Sequence, residues 1–202
     1  MALGDVIYEG GERPSYLYFP LDCVISLLYT MENGASADMA MVGNEGVVGI
    51  ALFMGGESVP SRAVVQSAGD ALQMPARGLQ DEFRRGGAFQ IALLRYTQSL
   101  ITQMSQTAVC NRLHSIDQQL CRWLLLSHDR LHSDEMIMTQ ELIASMLGVR
   151  REGVTVAAKR LQAAGLIRYS RGRITILDRA GLEARVCECY DVVKKECERL
   201  LG

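Results

Sequence analysis

The first half of the chain alternates apolar and polar residues in short runs. Gly, Pro and Asn residues separate these runs, which are VIYEGG, YLYFPLDCVISLLYTMENG, ADMAMVGNEGVVGIALFMGG and SRAVVQSAGDALQMPA. A period of two is typical of strands with one buried face. Asn33-Gly34 favours a tight hairpin turn. Several short strands at this spacing predict a β-roll, jelly-roll-like in character, over about the first 85 residues.

The pattern changes at Gly86-Gly87. No Gly or Pro follows until after residue 113, so we predict one long helix over 88–113. Apolar or small residues recur there every seven positions, as in a coiled coil. The helix could pack only on its own β domain, or also against the same helix of a second copy. We favour both, on different faces, with a dimer seam at Leu94, Ile101, Met104 and Ala108.

Short helices are predicted after residue 113. The sequence Ser115-Ile116-Asp117-Gln118 has the form of a capping box, which starts a helix. The predicted buried stripe of this helix is Ile116, Leu120, Trp123, Leu124, Ser127 and Leu131. Thr139 is the predicted cap of a short helix over 140–147, and Gly148 ends that helix.

The stretch GVRREGVTVAAKRL, residues 148–161, predicts a second short helix with one apolar face. Val154, Ala157, Ala158 and Leu161 share that face at about 100° per residue. Two β-prone runs follow, 167–170 and 173–177, joined by Arg171-Gly172. A helix, a glycine turn, a second helix and a hairpin form a winged helix-turn-helix. The alternative is an ordinary helix-and-hairpin subdomain whose arginines are simply solvated.

The distribution of charge along the chain supports the winged helix-turn-helix interpretation. The net charge of the 202 residues is −2, but residues 150–179 contain eight basic residues against two acidic ones. Residues 1–110 have a net charge of −5 and the rest +3. A local basic patch matters more for phosphate binding than the global sum.

The apolar runs, the N-terminal residues and the cysteines indicate where in the cell the protein is expected. No apolar run is long enough for a membrane span, and the first residues lack the pattern of a secretory signal. The six cysteines are scattered, so we expect reduced thiols and a cytoplasmic protein.

Two parts of the sequence carry a resemblance. MTQELIASMLGVRREGVTVAAKRLQAAGLIRYSRGRITILD resembles the DNA-binding half of the Crp/Fnr family of bacterial transcription regulators, and YEGGERPSYLYFPLDCVISLL with MVGNEGVVGI resembles its N-terminal roll. The resemblance implies an α+β protein with a cyclic-nucleotide-binding-like β-roll sensor (1–87), a dimerisation helix (88–113) and a winged-helix DNA-binding domain (114–202).

The resemblance also implies roles for particular residues. Arg151 and Glu152 match the family's Arg-Glu pair, which suits recognition of guanine and cytosine edges. Thr155 and Val156 complete the predicted base contacts. Many relatives have an arginine where this chain has Val156, which either touches a thymine methyl group or is simply an exposed valine. The predicted DNA backbone contacts are Thr139, Gln140, Arg150, Lys159, Arg160, Arg171 and Arg173.

The effector pocket departs from the cyclic-AMP pattern of the family. The positions matching its Gly-Glu and Arg-Ser pairs hold Gly43-Asn44, with Glu45 one place late, and Ser61-Arg62. An arginine displaced by one residue points to the other face of a strand. We therefore expect no cyclic-AMP response. An unknown effector in a pocket formed by these residues is left open, and no cofactor is predicted.

Metal and redox sites are not expected from the spacing of Cys and His. A single helix over 182–201 would bury Cys189 and Cys197 in its stripe and point Cys187 to another side. His128 and His132 have a spacing that zinc can use, but we favour histidines without a metal. All three histidines lie after residue 113, which argues against a metalloenzyme in the roll.

These patterns predict a sequence-specific DNA-binding regulator that is not an enzyme. Its expected partners are double-stranded DNA with an inverted repeat, a second copy of the chain, and RNA polymerase, with no membrane. The alternative is a ligand-binding or protein-interaction module whose winged helix contacts protein rather than DNA.

Overall fold

The computed structural model describes residues 1–131 and 133–202. The N-terminal half contains β1 (Val6–Tyr8), β2 (Tyr16–Pro20), β3 (Val24–Thr30), β4 (Ser36–Val42), α1 (Ala51–Met54), β5 (Arg62–Ser67), β6 (Ala71–Pro75) and α2 (Ala76–Arg85). One antiparallel sheet has the order β1-β5-β3-β4, and a second sheet pairs β2 with β6. The predicted β-roll is confirmed.

The hairpin predicted at Asn33-Gly34 joins β3 to β4. Gly34 has φ +82°, a region that glycine enters without a steric cost. The Met31 N–H donates to the Ala35 carbonyl at 2.8 Å and closes the turn. The hairpin brings Ser36 and Ala37 to the edge of the roll that faces the DNA-binding half.

Helix α2 corrects the prediction that β structure continues to residue 85. Pro75 precedes the helix, and none of the ten residues Ala76–Arg85 is β-branched. Leu79 is buried in the roll core, and Phe83 packs against it. A short amphipathic segment after a strand therefore forms a helix that covers the roll.

The second half is mostly helical. It contains α3 (Ala88–Leu113), α4 (Ile116–His128), β7 (Glu135–Ile137), α5 (Gln140–Leu147), α6 (Arg151–Ala163), β8 (Ile167–Ser170), β9 (Arg173–Ile176), α7 (Arg179–Glu183) and α8 (Cys189–Leu201). The capping box at the start of α4 is present. The wing is a three-stranded sheet of order β7-β9-β8, and β7 was not predicted.

The single C-terminal helix predicted over 182–201 is wrong. Helix α7 ends at Glu183, and α8 begins only at Cys189. The Val186 N–H still bonds the Leu182 carbonyl, but a new turn then starts where the Tyr190 N–H bonds the Cys187 carbonyl. Helix α8 lies along α3, with Gln98 Nε2 3.3 Å from Glu196 Oε1. The break turns Cys187 and Cys189 inward.

Two apolar cores organise the molecule. One fills the roll and includes residues of α3, whereas the other joins residues of β3 and β4 to α4, α5, α6 and the wing. The roll and the DNA-binding half therefore share packed side chains. Within the described residues, no helix combines the length and apolarity needed to cross a membrane.

Candidate nucleic-acid interface

Helices α5 and α6 meet through a short turn that local residues define. Thr139 Oγ1 accepts a hydrogen bond from the Leu142 N–H at 3.2 Å and caps α5. Gly148 ends α5 in the left-handed region at φ +65°. Its missing side chain also matters, because a Cβ atom there would lie 3.2 Å from Ala37 of the roll.

Helix α6 buries one face and exposes the other. The buried residues are Val154, Ala157, Ala158 and Leu161. Gly153 lies where α6 passes close to α4, since a Cβ atom there would be 2.7 Å from Ile116 Cδ1. The sequence patterns did not identify this role of Gly153, because the contact joins residues 37 positions apart.

The exposed side of α6 contains five of the residues predicted to contact DNA bases or phosphates, one of which is Arg160. The other four are Arg151, Glu152, Val156 and Lys159, and Val156 is 48% exposed. Thr155 is only half-buried, and its hydroxyl donates to Gln140 Oε1 at 2.7 Å. The hydrogen bond between Thr155 and Gln140 therefore links α6 to α5, in addition to any contact that either side chain makes with a ligand.

The wing turn stands beside the start of α6. Arg171 has φ +50° and Gly172 φ +76°, so the two residues form the turn of the β8–β9 hairpin with mirror-image geometry. A cleft between α6 and this turn is lined by Thr139, Gln140, Arg151, Tyr169, Ser170, Arg171 and Gly172. We call the exposed face of α6, this cleft and the wing turn the recognition surface.

The basic residues differ in their availability. Arg160 lies 3.3 Å from Asp117, Arg173 lies 2.5 Å from Glu135, and Arg151 lies 4.0 Å from Glu141. Exposed pairs of this kind contribute little, so phosphate can replace the carboxylate. Within residues 1–131 and 133–202, no ion pair involves Arg150, Lys159 or Arg171.

Arg179 counts toward the basic patch but has a structural role. Its guanidinium bonds Asp129 and donates to the Tyr190 hydroxyl at 2.8 Å, and its Nε bonds Glu183 at 3.0 Å. It also meets His128. His132, which the sequence paired with His128 as a zinc spacing, lies outside the described residues.

The predicted dimer seam divides between two environments. Leu94 and Ile101 are 47% and 56% exposed, and Ala108 is exposed on the same side of α3. Met104 instead packs partly buried against the roll core. The heptad positions other than Met104 therefore form an exposed apolar strip.

The five candidate effector residues do not form one pocket. Glu45 bonds Arg130 Nε at 2.7 Å and accepts from the Gly43 N–H at 3.1 Å. Arg62 pairs with Glu9 at 3.2 Å, on the face of β5 opposite the buried residues Ala63 and Val65. Ser61 is buried beside Tyr8, and Asn44 is exposed. The DNA-binding half thus engages Glu45, which the family resemblance placed in the pocket.

A buried chain of polar side chains connects the roll to α4. Ser26 Oγ lies 2.6 Å from Gln66 Oε1 and 3.2 Å from Asp38 Oδ2, and Gln66 Nε2 donates to Ser127 Oγ at 3.1 Å. A hydroxyl has one proton, and the shorter contact assigns that of Ser26 to Gln66. Asp38 can then bond Ser26 only by donating its own proton.

Burial favours this protonated form of Asp38. It raises the pKa of the Asp38 carboxyl to about 7, although the cations Arg122 and Arg130 act in the opposite direction. The side chain of Gln103 on α3 bonds both the N–H and the carbonyl of Met41 at 3.1 Å. We call this buried polar region the junction between the roll and the DNA-binding half. It consists of Ser26, Asp38, Gln66, Gln103 and Ser127, together with Glu45 and Arg130.

Comparison with known proteins agrees with this architecture. A cyclic nucleotide-binding domain model matches residues 1–85, and a Crp-like helix-turn-helix domain model matches residues 118–185. No curated protein sequence matches the chain.

Solved structures share the fold at low sequence identity. A CRP-family transcriptional regulator from Thermus thermophilus, TTHB099, is 18% identical with a TM-score of 0.74, covering 100% of this chain and 97% of its own. FixK2 from Bradyrhizobium japonicum is 17% identical with a TM-score of 0.75, covering 92% and 94%. A second regulator from Thermus thermophilus, TTHA1359 of the CRP/FNR family, is 20% identical with a TM-score of 0.71, covering 91% and 95%.

The roll, the long helix and the winged helix-turn-helix define a transcription regulator with a cyclic-nucleotide-binding-like domain. The two domain models together match most of the chain, and the chain belongs to the Crp/Fnr family. The recognition surface lies in its helix-turn-helix DNA-binding domain.

Proposed function

We propose that the protein is a homodimeric regulator that recognises an inverted-repeat operator through α6 and is not controlled by cyclic AMP. The observation that carries this proposal is the recognition surface, where Arg151 and Glu152 start the exposed face of α6 beside the basic wing turn. Arginine donates two hydrogen bonds to guanine, and glutamate accepts from cytosine. Arg150, Lys159 and Arg171 are suited to phosphates.

Homodimerisation would use the exposed strip on α3. Leu94, Ile101 and Ala108 repeat every seven residues, which is the spacing of two helices that pack side by side. Two copies would present their α6 helices about 34 Å apart, one turn of DNA. This spacing leads us to propose a two-fold symmetric operator.

The pocket residues support our proposal that the protein does not respond to cyclic AMP. Arg62 is on the outer face of β5 and paired with Glu9, so no arginine from this position is available inside the roll. The roll interior contains apolar side chains and the ring of Tyr96. This ring packs directly on Gly46, where an added Cβ atom would lie 2.2 Å from the ring. Among the described residues, the apolar side chains of this core offer a nucleotide phosphate no charged partner.

Selection from a random pool of double-stranded DNA at moderate salt tests the proposal. We expect an enriched inverted repeat, and recovery of no common sequence would refute it. The competing function is a protein-interaction module, and salt separates the two. DNA binding should weaken steeply with salt through counterion release, whereas a protein contact should weaken little. Addition of cyclic AMP should leave operator affinity unchanged.

A further inference from the structure

Four metal-ligating side chains from distant parts of the sequence meet at the end of α3. They are Cys110, His114, Cys187 and Cys189, and we call them the Cys/His cluster. Their ligand atoms all lie within 4.8 Å of one another. Cys110 Sγ is 3.6 Å from Cys187 Sγ, and Cys189 Sγ is 3.6 Å from His114 Nδ1.

The two 3.6 Å distances match edges of a single coordination tetrahedron, and the 4.8 Å limit on the rest is within a small side-chain adjustment of one. Zinc binds thiolate sulfur at about 2.3 Å and imidazole nitrogen at about 2.0–2.1 Å, so tetrahedral ligands lie roughly 3.5–3.8 Å apart. Iron–sulfur clusters spread their thiolates over several iron atoms, which requires a wider arrangement. The donor set of three thiolates and one imidazole is one that structural zinc sites use.

The surroundings of the Cys/His cluster support an ion rather than ordinary apolar packing. His114 turns Nδ1 toward the sulfur atoms, and its Nε2 lies 3.4 Å from a carboxylate oxygen of Glu188. A carboxylate behind a ligating histidine is a common arrangement that orients the ring. The three cysteines are buried, whereas the His114 side chain is 15% exposed, so an ion can enter from that side.

The chain geometry explains how the cluster forms. Cys110 is in the last turn of α3, and His114 caps that helix through its N–H bond to the Cys110 carbonyl. The break between α7 and α8 allows Cys187 and Cys189 to turn toward the same point. The sequence-based expectation of no shared metal depended on a continuous helix, which the structure lacks.

We propose that the Cys/His cluster binds one zinc ion, which fastens the segment before α8 to the end of α3. This inference is independent of DNA binding. Ion binding deprotonates the thiols and releases their protons, and no oxidant or reductant is required. Because α8 lies along α3, loss of the ion should loosen the C-terminal segment from the long helix.

Metal analysis of the full-length protein, purified under reducing conditions, tests the proposal. We expect about one zinc ion per chain. Substitution with Co²⁺ should give the visible absorption of tetrahedral thiolate coordination. Cys189→Ser should lose the ion and the Co²⁺ spectrum, while the matched control Cys197→Ser, on α8 but outside the cluster, should retain both.

Two further measurements keep the test decisive if Cys189→Ser folds poorly. His114→Cys should retain a stoichiometric ion, because four thiolates also form a tetrahedral zinc site. A chelator added to the wild-type protein should lower its unfolding midpoint and increase amide exchange in α8. Metal content well below one ion per chain, equal metal content in Cys189→Ser, or an iron–sulfur absorption spectrum would each overturn the proposal.

Discussion

Charged side chains are arranged in opposite ways on the recognition surface and at the junction. On the recognition surface they are exposed and, within the part of the chain that the structure describes, either unpaired or loosely paired, as Arg151 is with Glu141 at 4.0 Å. At the junction Arg130 is 8% exposed and bonds Glu45 at 2.7 Å. An exposed charge keeps its water until a ligand replaces it, whereas a buried charge depends on a protein partner. One region is therefore suited to binding and the other to fixing the two halves together.

The sharpest test of this comparison removes one member of the buried pair. Arg130→Met keeps the apolar stem but leaves Glu45 without its cation, and we expect a loss of ~3 kcal/mol in the free energy of unfolding. Chemical denaturation measures this loss. The matched control is Arg85→Met, because Arg85 pairs with Glu82 at an exposed i,i+3 position and should contribute less than ~0.5 kcal/mol.

A second substitution separates the lost pair from general damage. Adding Glu45→Leu to Arg130→Met removes the uncompensated carboxylate, so most of the lost stability should return. If the double variant is no more stable than Arg130→Met, the two residues do not act as a pair.

The buried acid at the junction predicts a pH dependence. The pKa of Asp38 is about 7 in the folded protein and near 3.8 without burial, so the folded chain retains a proton that the unfolded chain releases. Stability should therefore fall as pH rises through this window, by at most ~1.4 kcal/mol per unit. Asp38→Asn keeps a donor toward Ser26 without a charge.

The difference between wild type and Asp38→Asn isolates this group from the others that titrate. The cations facing it, Arg122 and Arg130, are present in both proteins, so their contribution cancels in the difference. We expect the advantage of the Asn variant to increase between pH 5 and pH 8 in denaturation experiments. A constant difference would mean that Asp38 is ionised in the folded protein across this range.

The two regions also differ in how well the sequence predicts them. The elements of the helix-turn-helix follow from adjacent residues: Thr139 caps α5, Gly148 ends it, and Arg171-Gly172 forms the wing turn. Caps, turns and amphipathic faces depend on neighbours within a few positions. The roles of residues toward DNA remain predictions.

The junction and the Cys/His cluster have no comparable local signal. Glu45 and Arg130 are 85 residues apart, and Cys110 and Cys187 are 77 apart. Their partners are decided by how the roll, α3 and α8 pack. The helix break before Cys189 was missed for a related reason, since an apolar stripe continues across it.

On the recognition surface, Arg151→Ala should weaken discrimination rather than stability. We expect a loss of ~1–3 kcal/mol in the preference for one base pair in each half-site, because the two hydrogen bonds to guanine disappear. Lys159→Ala is the matched control and should weaken binding to all sequences equally while reducing the salt dependence. Competition assays with single-base operator variants distinguish the two results, and equal weakening by Arg151→Ala would limit Arg151 to phosphate contacts.

A substitution in the wing turn should raise the stability of the protein and lower its affinity for DNA. Arg171 is held at φ +50°, where a residue with a long side chain is strained, whereas asparagine tolerates this region. Arg171→Asn should therefore raise the free energy of unfolding by ~0.5 kcal/mol. It should also weaken DNA binding and reduce the salt slope by about one. Denaturation and salt titration measure the two effects separately. If the free energy of unfolding falls together with DNA affinity, Arg171 stabilises the hairpin through contacts of its own. Its strained conformation would then be no sign of a role in binding.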